Sequence, residues 1–199
     1  MNFIIWDCEI WGDTGVAARR WNGLHDWPPL TIQIGAALVD TSAKITATFS
    51  RYIHPFDEYG HQAPITEYIS NLTGITQKTL DRHGVSFIQA LQEFEHFVGN
   101  RKIYSYGHDM RKTLLPTCFA NRTYPDINPT HVRDVRQVLL AAGVPEGLIM
   151  ATNSGRIADA LGYDGPAFDQ HDALGDVQSI VQALRILQER GALDCRTLV

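Results

Sequence analysis

The feature that most constrains the fold is a short apolar segment at residues 2–9, NFIIWDCE, which two acidic residues interrupt. Its alternating pattern predicts a β-strand. One face of this strand carries Phe3, Ile5, Asp7 and Glu9, and the other carries Ile4, Trp6, Cys8 and Ile10. Because both faces begin with apolar residues, the strand should be central and covered on both sides.

Further strands and helices follow in an order typical of an α/β domain. Segments 31–39 and 45–53 predict two more strands joined by a turn into an antiparallel meander, and Lys102–Tyr106 predicts a fourth. Helices are expected at 65–71, from Ser86, from Asp109, at 132–142, at 155–161 and from Asp172 to Arg190. This order predicts a mixed sheet with helices packed on it, in a single domain over residues 1–199.

Composition excludes several classes of protein. With 44% hydrophobic and 20% charged residues, the chain has the composition of a soluble globular protein. No apolar stretch approaches the roughly 20 residues of a membrane span, and the first residues lack the basic start of a secretory signal. Three separated cysteines without a CxxC pair, Cys8, Cys118 and Cys195, argue against a zinc ribbon or a disulfide framework. We therefore expect a cytoplasmic protein.

The formal net charge of −5 counts against binding to a long nucleic-acid duplex. Phosphate contacts usually require a basic surface. The objection weakens if several acidic side chains bind divalent cations, or if the protein grips only the end of a short strand.

Asp7 and Glu9 are two residues apart on the first strand, so both side chains point the same way. They lie at its C-terminal end, where α/β sheets usually place ligand sites. Two like charges about 6–7 Å apart on a buried strand repel each other, and each resists desolvation. A bound dication would relieve both costs. The alternative, that the strand has emerged into solvent there, is equally compatible with the spacing.

Asp176 falls on the apolar side of the last helix, between Ala173, Val177 and Ile180. An unpaired carboxylate there would cost several kcal/mol, so it needs a partner, which is either a cation or an arginine or lysine side chain. His171, on the loop just before this helix, is placed to act as a general base near neutral pH. Its alternative is an ordinary surface histidine. Asp109 opens another helix, where an acid can also serve only as an N-cap.

Taken together and in order, these segments resemble the DEDDh exonuclease family, of the DnaQ-like or RNase T-like superfamily. The matching segments are FIIWDCE, TIQIGAALVD, NLTGIT with SFIQALQEFEHFV, YSYGHDMRKTLL and HDALGD. Their style is most similar to that of the histone-mRNA and RNA-interference type exonucleases. The resemblance implies an RNase H-like mixed five-stranded sheet, an antiparallel meander plus parallel strands, flanked by helices.

The resemblance also implies roles for the acidic residues. Asp7, Glu9, Asp109 and Asp176 would hold two Mg²⁺ or Mn²⁺ ions, since all-oxygen ligands favour these hard cations. His171 would take a proton from the attacking water. The implied reaction removes nucleoside 5′-monophosphates from the 3′ end of single-stranded RNA or DNA, with RNA somewhat favoured. Relatives are often dimers, so a homodimer is a candidate assembly.

Four residues are candidates for contact with the terminal nucleotide: Ile10, Trp11, Tyr106 and Phe168. Trp11 could stack on a base, which is worth about 1–3 kcal/mol, but packing in the core is an equal alternative. In the loop at 14–29, Arg19, Arg20 and Trp21 interleave cations with an aromatic ring, as surfaces that bind single-stranded nucleic acid do. A solvated loop anchored by its tryptophan is the alternative.

The second motif departs from the family pattern. Only His108 separates Gly107 from Asp109, where related chains usually have two residues. Asp109 could therefore be displaced, and Asp134 is the fallback ligand. Two other functions stay open: a non-catalytic binding or scaffold module on the same fold, and a proofreading partner of a polymerase.

Overall fold

A mixed six-stranded sheet forms the centre of the computed structural model, which describes residues 2–199. Along the sheet the strands lie in the order β4-β3-β2-β1-β5-β6. In chain order they are β1 Asn2–Ile10, β2 Thr31–Asp40, β3 Ile45–Ile53, β4 Gly84–Val85, β5 Ile103–Ser105 and β6 Val132–Asp134.

β1 occupies the middle of the sheet, as its apolar pattern predicts. It pairs antiparallel with β2 and parallel with β5. β2 pairs antiparallel with β3, which confirms the predicted meander, while β3–β4 and β5–β6 are parallel. The predicted class, an α/β fold with an RNase H-like mixed sheet, is confirmed.

The predicted number of five strands is wrong by one. The sequence itself locates four strands. Two short strands, β4 and β6, lie outside those segments, and β6 takes the first three residues of the helix predicted at 132–142. Strands of two or three residues are too short to show an alternating pattern. Pairing with an existing edge, Ile103 opposite Val132, makes β6 a strand.

Helices cover both faces of the sheet. They are α1 Val16–Arg19, α2 Glu67–Thr73, α3 Gln77–His83, α4 Phe87–Val98, α5 Leu115–Ala120, α6 Val135–Ala141, α7 Glu146–Ala151, α8 Ile157–Ala160 and α9 Ala173–Glu189. A π-helical turn, Met110–Leu114, leads into α5, and 3₁₀ turns occur at Pro129–His131, Ser154–Arg156 and Cys195–Leu198. As predicted, Ser86 caps α4, its hydroxyl accepting a hydrogen bond from the Gln89 amide at 3.2 Å.

The alternation of β1 divides the core into two layers. Phe3 and Ile5 pack with the apolar side of α9. Ile4 and Trp6 pack on the opposite side, where α4 contributes Phe94. Asp7 and Glu9 therefore point toward α9, on the same face as Phe3 and Ile5.

Gly35 allows the start of α9 to lie directly on the sheet. It pairs with Asp7 across the β1–β2 ladder. A Cβ at this position would lie 2.4 Å from the carbonyl carbon of Ala173, the first residue of α9. Only a residue without a side chain leaves room for the helix backbone there, so Gly35 sets the distance between α9 and β1.

Within residues 2–199, no helix combines the length and the apolar character that crossing a membrane requires.

We predict that Gly35→Ala destabilises the fold by about 1–3 kcal/mol, because the added methyl group forces α9 away from the sheet. The matched control is Gly147→Ala in α7, where an added Cβ meets nothing within 4 Å; it should leave stability unchanged or raise it slightly. Chemical denaturation of both variants measures the difference. Equal midpoints for Gly35→Ala and the wild type would contradict the role of Gly35.

Candidate active site

Three buried carboxylates meet at the C-terminal end of β1. Asp7, Glu9 and Asp176 each offer one oxygen, and these oxygens all lie within 4.8 Å of one another. The three residues are 6%, 8% and 4% exposed. The alternative that β1 has emerged into solvent at its acids is therefore wrong. Three like charges this close require either protons or bound cations.

Burial dominates the electrostatics of Asp7. It raises the pKa of Asp7 well above 3.8, and the neighbouring charges of Asp109, Asp176 and Glu9 raise it further. A hydrogen bond from the backbone of Cys8 acts in the opposite direction. Asp7 therefore holds a proton at pH values where an ordinary aspartate is ionised.

Glu9 behaves in the same way. Burial raises its pKa well above 4.5, and the charges of Asp176, Asp172 and Asp109 add to the increase. A register irregularity between Glu9 and Ile10 interrupts the ladder with β2 immediately after the acids. Such bulges re-aim side chains next to active sites.

Asp176 projects from the first turn of α9 toward the two acids of β1. Its Oδ2 accepts a hydrogen bond from the Ser154 hydroxyl at 2.6 Å, and its Oδ1 accepts one from the backbone amide of His171 at 3.1 Å. Burial raises the pKa of Asp176, and these two bonds partly oppose that shift. Among the ion pairs of residues 2–199, none involves Asp176, so the buried salt bridge that the sequence left open is not formed.

Gly155 completes the contact of Asp176 with the preceding turn. A Cβ on Gly155 would lie 2.4 Å from Asp176 Oδ1. The hydroxyl of Ser154 thus binds this carboxylate, and the missing side chain of Gly155 leaves room for it. Sequence analysis missed both residues; their Asn-Ser-Gly turn was the only available signal.

Asp109 lies beside the other acids but outside the set of three. Burial raises its pKa to about 7, while the nearby Ser105 hydroxyl lowers it. Its Oδ2 is buried and has no hydrogen-bond partner among the described residues. A buried oxygen without a donor is a costly feature, and a cation beside Asp7 would supply the missing interaction.

The contraction before Asp109 is followed by a change in the helix. The turn that begins directly after it, Met110–Leu114, is π-helical. A π turn holds more residues than an α turn. The loop before Asp109 is one residue shorter than in related chains, and the π turn adds a residue directly after that loop. We infer that the two irregularities offset each other and keep Asp109 next to Asp7.

Asp134 does not serve as the fallback ligand. Both of its oxygens bind the Arg136 guanidinium, at 3.0 and 2.6 Å, and Oδ1 also accepts hydrogen bonds from the backbone amides of Arg136 and Gly107. Asp134 caps α6 and fixes the loop that follows β5. These contacts already occupy the oxygens that Asp134 would need as the fallback ligand.

His171 stands in the loop immediately before α9, with a half-buried side chain. Its φ angle is +60°, a left-handed conformation that few residues other than glycine adopt. The hydrogen bond from its amide to Asp176 holds this backbone in place. Strain retained beside a cluster of acids is typical of a functional position.

A buried glutamine ties the start of α9 to the sheet. Gln33, which pairs with Glu9 across the ladder, donates its amide to Asp172 Oδ1 at 2.7 Å. Its carbonyl accepts a hydrogen bond from the Ala173 amide at 3.1 Å. Asp172 in turn caps α9 through the amides of Leu174 and Gly175. These bonds fix the helix that carries Asp176.

Two of the predicted substrate contacts are engaged elsewhere. Trp11 is 3% exposed, and its indole N–H donates to the Pro64 carbonyl at 2.8 Å. The structure therefore favours packing over stacking for Trp11. Tyr106 donates its hydroxyl to the Ile149 carbonyl at 2.8 Å, and burial raises its pKa to about 12.

The other two predicted substrate contacts, Ile10 and Phe168, are less deeply buried than Trp11. Ile10 is half-buried at the end of β1. Phe168 stacks on Tyr163, with ring centroids 5.2 Å apart. It also lines a cavity of about 500 Å³ together with Tyr52, Leu72 and Asp172.

The segment 14–29, predicted as a loop, contains the short helix α1 and is anchored by side-chain contacts. Arg19 binds Asp13 at 2.7 Å and Asp26 at 2.8 Å. The Trp21 indole donates to the Trp11 carbonyl at 3.1 Å. The interpretation of this segment as a loop held by its tryptophan agrees with these contacts.

Comparison with known protein families decides the classification. The family model of RNase T, described as an exonuclease, matches residues 4–184. The chain belongs to the RNase T exonuclease family. The predicted family is thereby confirmed, and its match runs from β1, with Asp7 and Glu9, through most of α9, with Asp176.

Solved structures of 3′-exonucleases share the fold of this chain. One comes from a study of 3′-end specific recognition of the histone mRNA stem-loop; it is 21% identical, with a TM-score of 0.73, over 96% of this chain and 83% of that one. Another is E. coli exonuclease I in complex with a dT13 oligonucleotide, 16% identical with a TM-score of 0.64, over 95% of this chain and 41% of that one.

One curated relative matches over a shorter region. It is the glutamate N-acetyltransferase of Methanococcus maripaludis, 29% identical over 123 residues, which is 57% of this chain and 29% of that protein. The matched region thus spans less than a third of that relative.

We predict that divalent cations stabilise this protein more as pH rises. The raised carboxyl pKa values stabilise the metal-free fold at low pH. This contribution falls as pH rises above about 4, and the part that comes from Asp109 is lost as pH passes about 7, where the folded Asp109 ionises. Cations compete with those protons. The increase in Tm caused by excess Mn²⁺ over EDTA should therefore be small at about pH 5 and several degrees larger at about pH 8. An equal increase at both values would contradict the site.

Proposed function

We propose that the protein is a 3′→5′ exonuclease that releases nucleoside 5′-monophosphates from single-stranded nucleic acid, with RNA favoured over DNA. The observation that carries the proposal is the buried meeting of Asp7, Glu9 and Asp176 at one strand end. Membership of an exonuclease family supports the class of reaction. The fold shared with 3′-exonucleases supports the polarity.

The chemistry of the donor set fits two Mg²⁺ or Mn²⁺ ions. Asp7, Glu9, Asp109 and Asp176 offer only carboxylate oxygens, which these cations prefer. The unpartnered Oδ2 of Asp109 extends the set beyond the three oxygens that lie together. When bound, the cations would supply Lewis acidity that stabilises charge on the oxygen of the attacking water and on the leaving oxygen of the phosphodiester.

The remaining step is a proton transfer, which we assign to His171. An imidazole nitrogen can accept a proton from the attacking water. The hydrogen bond between the His171 amide and Asp176 ties the position of the base to the position of a carboxylate ligand. Ser154, which donates to the same carboxylate, keeps that ligand oriented.

The cavity beside Phe168 is the proposed place for the terminal nucleotide. It is lined by residues of the LTGIT segment, by Tyr52 and by Asp172, the cap of α9. Ile10, at the end of β1, lies next to the acids in sequence. We propose Phe168 and Ile10 as substrate contacts. We further propose a cytoplasmic protein, with a homodimer as its candidate assembly.

We predict that Asp7→Asn lowers the rate of nucleotide release by about 100-fold or more, since it removes a cation ligand at nearly constant shape. Release of mononucleotides from 3′-labelled RNA and DNA oligonucleotides with Mg²⁺ or Mn²⁺ measures the effect, and EDTA should abolish the wild-type reaction. The control is Glu189→Gln, an exposed carboxylate at the far end of α9.

The same substitution separates lost chemistry from lost folding. At about pH 8 in EDTA, Asp7→Asn should unfold at a higher temperature than the wild type, because one of several repelling buried charges is gone. A wild-type protein that leaves all labelled strands intact would refute the proposed function and would favour a non-catalytic module.

We predict that His171→Asn lowers the rate by about 10²–10⁴-fold, the usual contribution of a general base. Asparagine tolerates the left-handed backbone that His171 adopts, so the loop should keep its shape. Metal-dependent stabilisation should be unchanged. His96→Asn, at an exposed position of α4, is the matched control. Full activity of His171→Asn would remove His171 from the mechanism.

A further inference from the structure

An exposed strip runs along the helical segment that follows Asp109. Its residues are Arg111, Lys112, Leu115, Phe119 and Arg122, and we call it the 111–122 face. All five are exposed, whereas Thr113, Leu114, Thr117 and Cys118 between them are buried. The spacing of four between positions 111, 115 and 119 places these side chains in one row.

The 111–122 face is basic in an acidic protein. From Met110 to Pro125 the sequence contains three cations and no acidic residue. Over residues 101–136 there are seven Lys and Arg against three Asp, although the whole chain carries a net charge of −5. The helical segment that follows Asp109 is thus locally basic, which is the kind of charge asymmetry that polyanion binding requires.

Large apolar side chains are exposed within the same strip. Phe119 is 77% exposed and Leu115 is 37% exposed. Nearby, Tyr124 is 83% exposed. The Arg122 guanidinium lies 3.5 Å from the Glu58 carbonyl, which places the loop with Tyr59, itself 77% exposed, at the same end. Aromatic rings interleaved with cations are typical of surfaces that bind single strands.

The 111–122 face starts close to Asp109 along the chain. It begins two residues after Asp109, and the charge of Lys112 is close enough to lower the pKa of that acid. From Asp109 to Phe119 the helical rise amounts to about 15 Å. That length spans about four stacked nucleotides of one strand, at about 3.4 Å each.

We propose that the 111–122 face binds the single strand upstream of the scissile nucleotide, with Arg111 and Arg122 on phosphates and Phe119 stacked on a base. This proposal rests on the proposed exonuclease function and adds the path of the substrate. The net charge of −5 then does not prevent binding, because the phosphates contact the basic 111–122 face and the bound cations rather than the acidic remainder of the surface.

The experiment compares Arg111→Gln/Arg122→Gln and Phe119→Ala with two controls, Lys44→Gln/Arg185→Gln and Ile88→Ala, which alter exposed residues elsewhere. Cleavage of a 3′-labelled 12-mer and of a trinucleotide gives kcat and KM for each. Both face variants should raise KM for the 12-mer by about five-fold or more, because Phe119→Ala loses one stacked base and Arg111→Gln/Arg122→Gln loses two phosphate contacts. They should leave kcat and trinucleotide cleavage unchanged, as should the controls for both substrates.

Binding of a fluorescent 12-mer in EDTA, followed by anisotropy, tests the face without cleavage. The Arg111→Gln/Arg122→Gln protein should show a salt dependence shallower by about 1.4 in log–log slope, for two lost phosphate contacts. Unchanged affinity and slope, or equal KM changes for both lengths, would overturn the proposed path. Loss of cleavage of every substrate by the wild type, with the slope difference intact, would instead refute the exonuclease function alone.

Discussion

The structure depends on the burial of several carboxylates at one end of the central strand. Asp7, Glu9 and Asp176 are nearly inaccessible, and their oxygens lie within 4.8 Å of one another. Neither an arginine nor a lysine pairs with this set in the described part of the chain. Such an arrangement is unfavourable without protons or cations, so the fold retains a local cost that bound protons or cations offset. Sites that store such a cost are usually functional.

The surrounding fold is arranged to bring one helix close to that strand. Gly35, opposite Asp7, leaves room for the first residue of α9. Gln33, opposite Glu9, bonds to the cap and to the first amide of the same helix. Ser154 and the amide of His171 then orient Asp176. The position of one carboxylate thus rests on a strand, a helix cap and a 3₁₀ turn that are far apart in sequence.

Much of this could be predicted from the sequence, because the decisive patterns are local. The alternation in NFIIWDCE placed Asp7 and Glu9 on one face of a central strand, and the helical period placed Asp176 on the apolar side of α9. The ordered motifs indicated the family, which the match over residues 4–184 confirms.

The parts that could not be predicted depend on contacts between distant residues. Ser154 meets Asp176 across 22 positions, and Gln33 meets Asp172 across 139. The periodic sequence patterns of strands and helices carry no information about such distant pairs. The two short strands were missed for the same reason, since sheet pairing rather than propensity makes them strands. Whether Trp11 packs in the core or stacks on a base likewise depends on a distant contact, the hydrogen bond from its indole to the Pro64 carbonyl.

Calorimetric titration of the metal-free protein with Mn²⁺ at about pH 8 tests the central claim most directly. The account predicts saturable binding of two ions per chain, with release of protons from the carboxyl groups. It also predicts loss of that binding in Asp176→Asn. A folded wild-type protein that binds no Mn²⁺, or an Asp176→Asn variant that binds it equally well, would contradict the account.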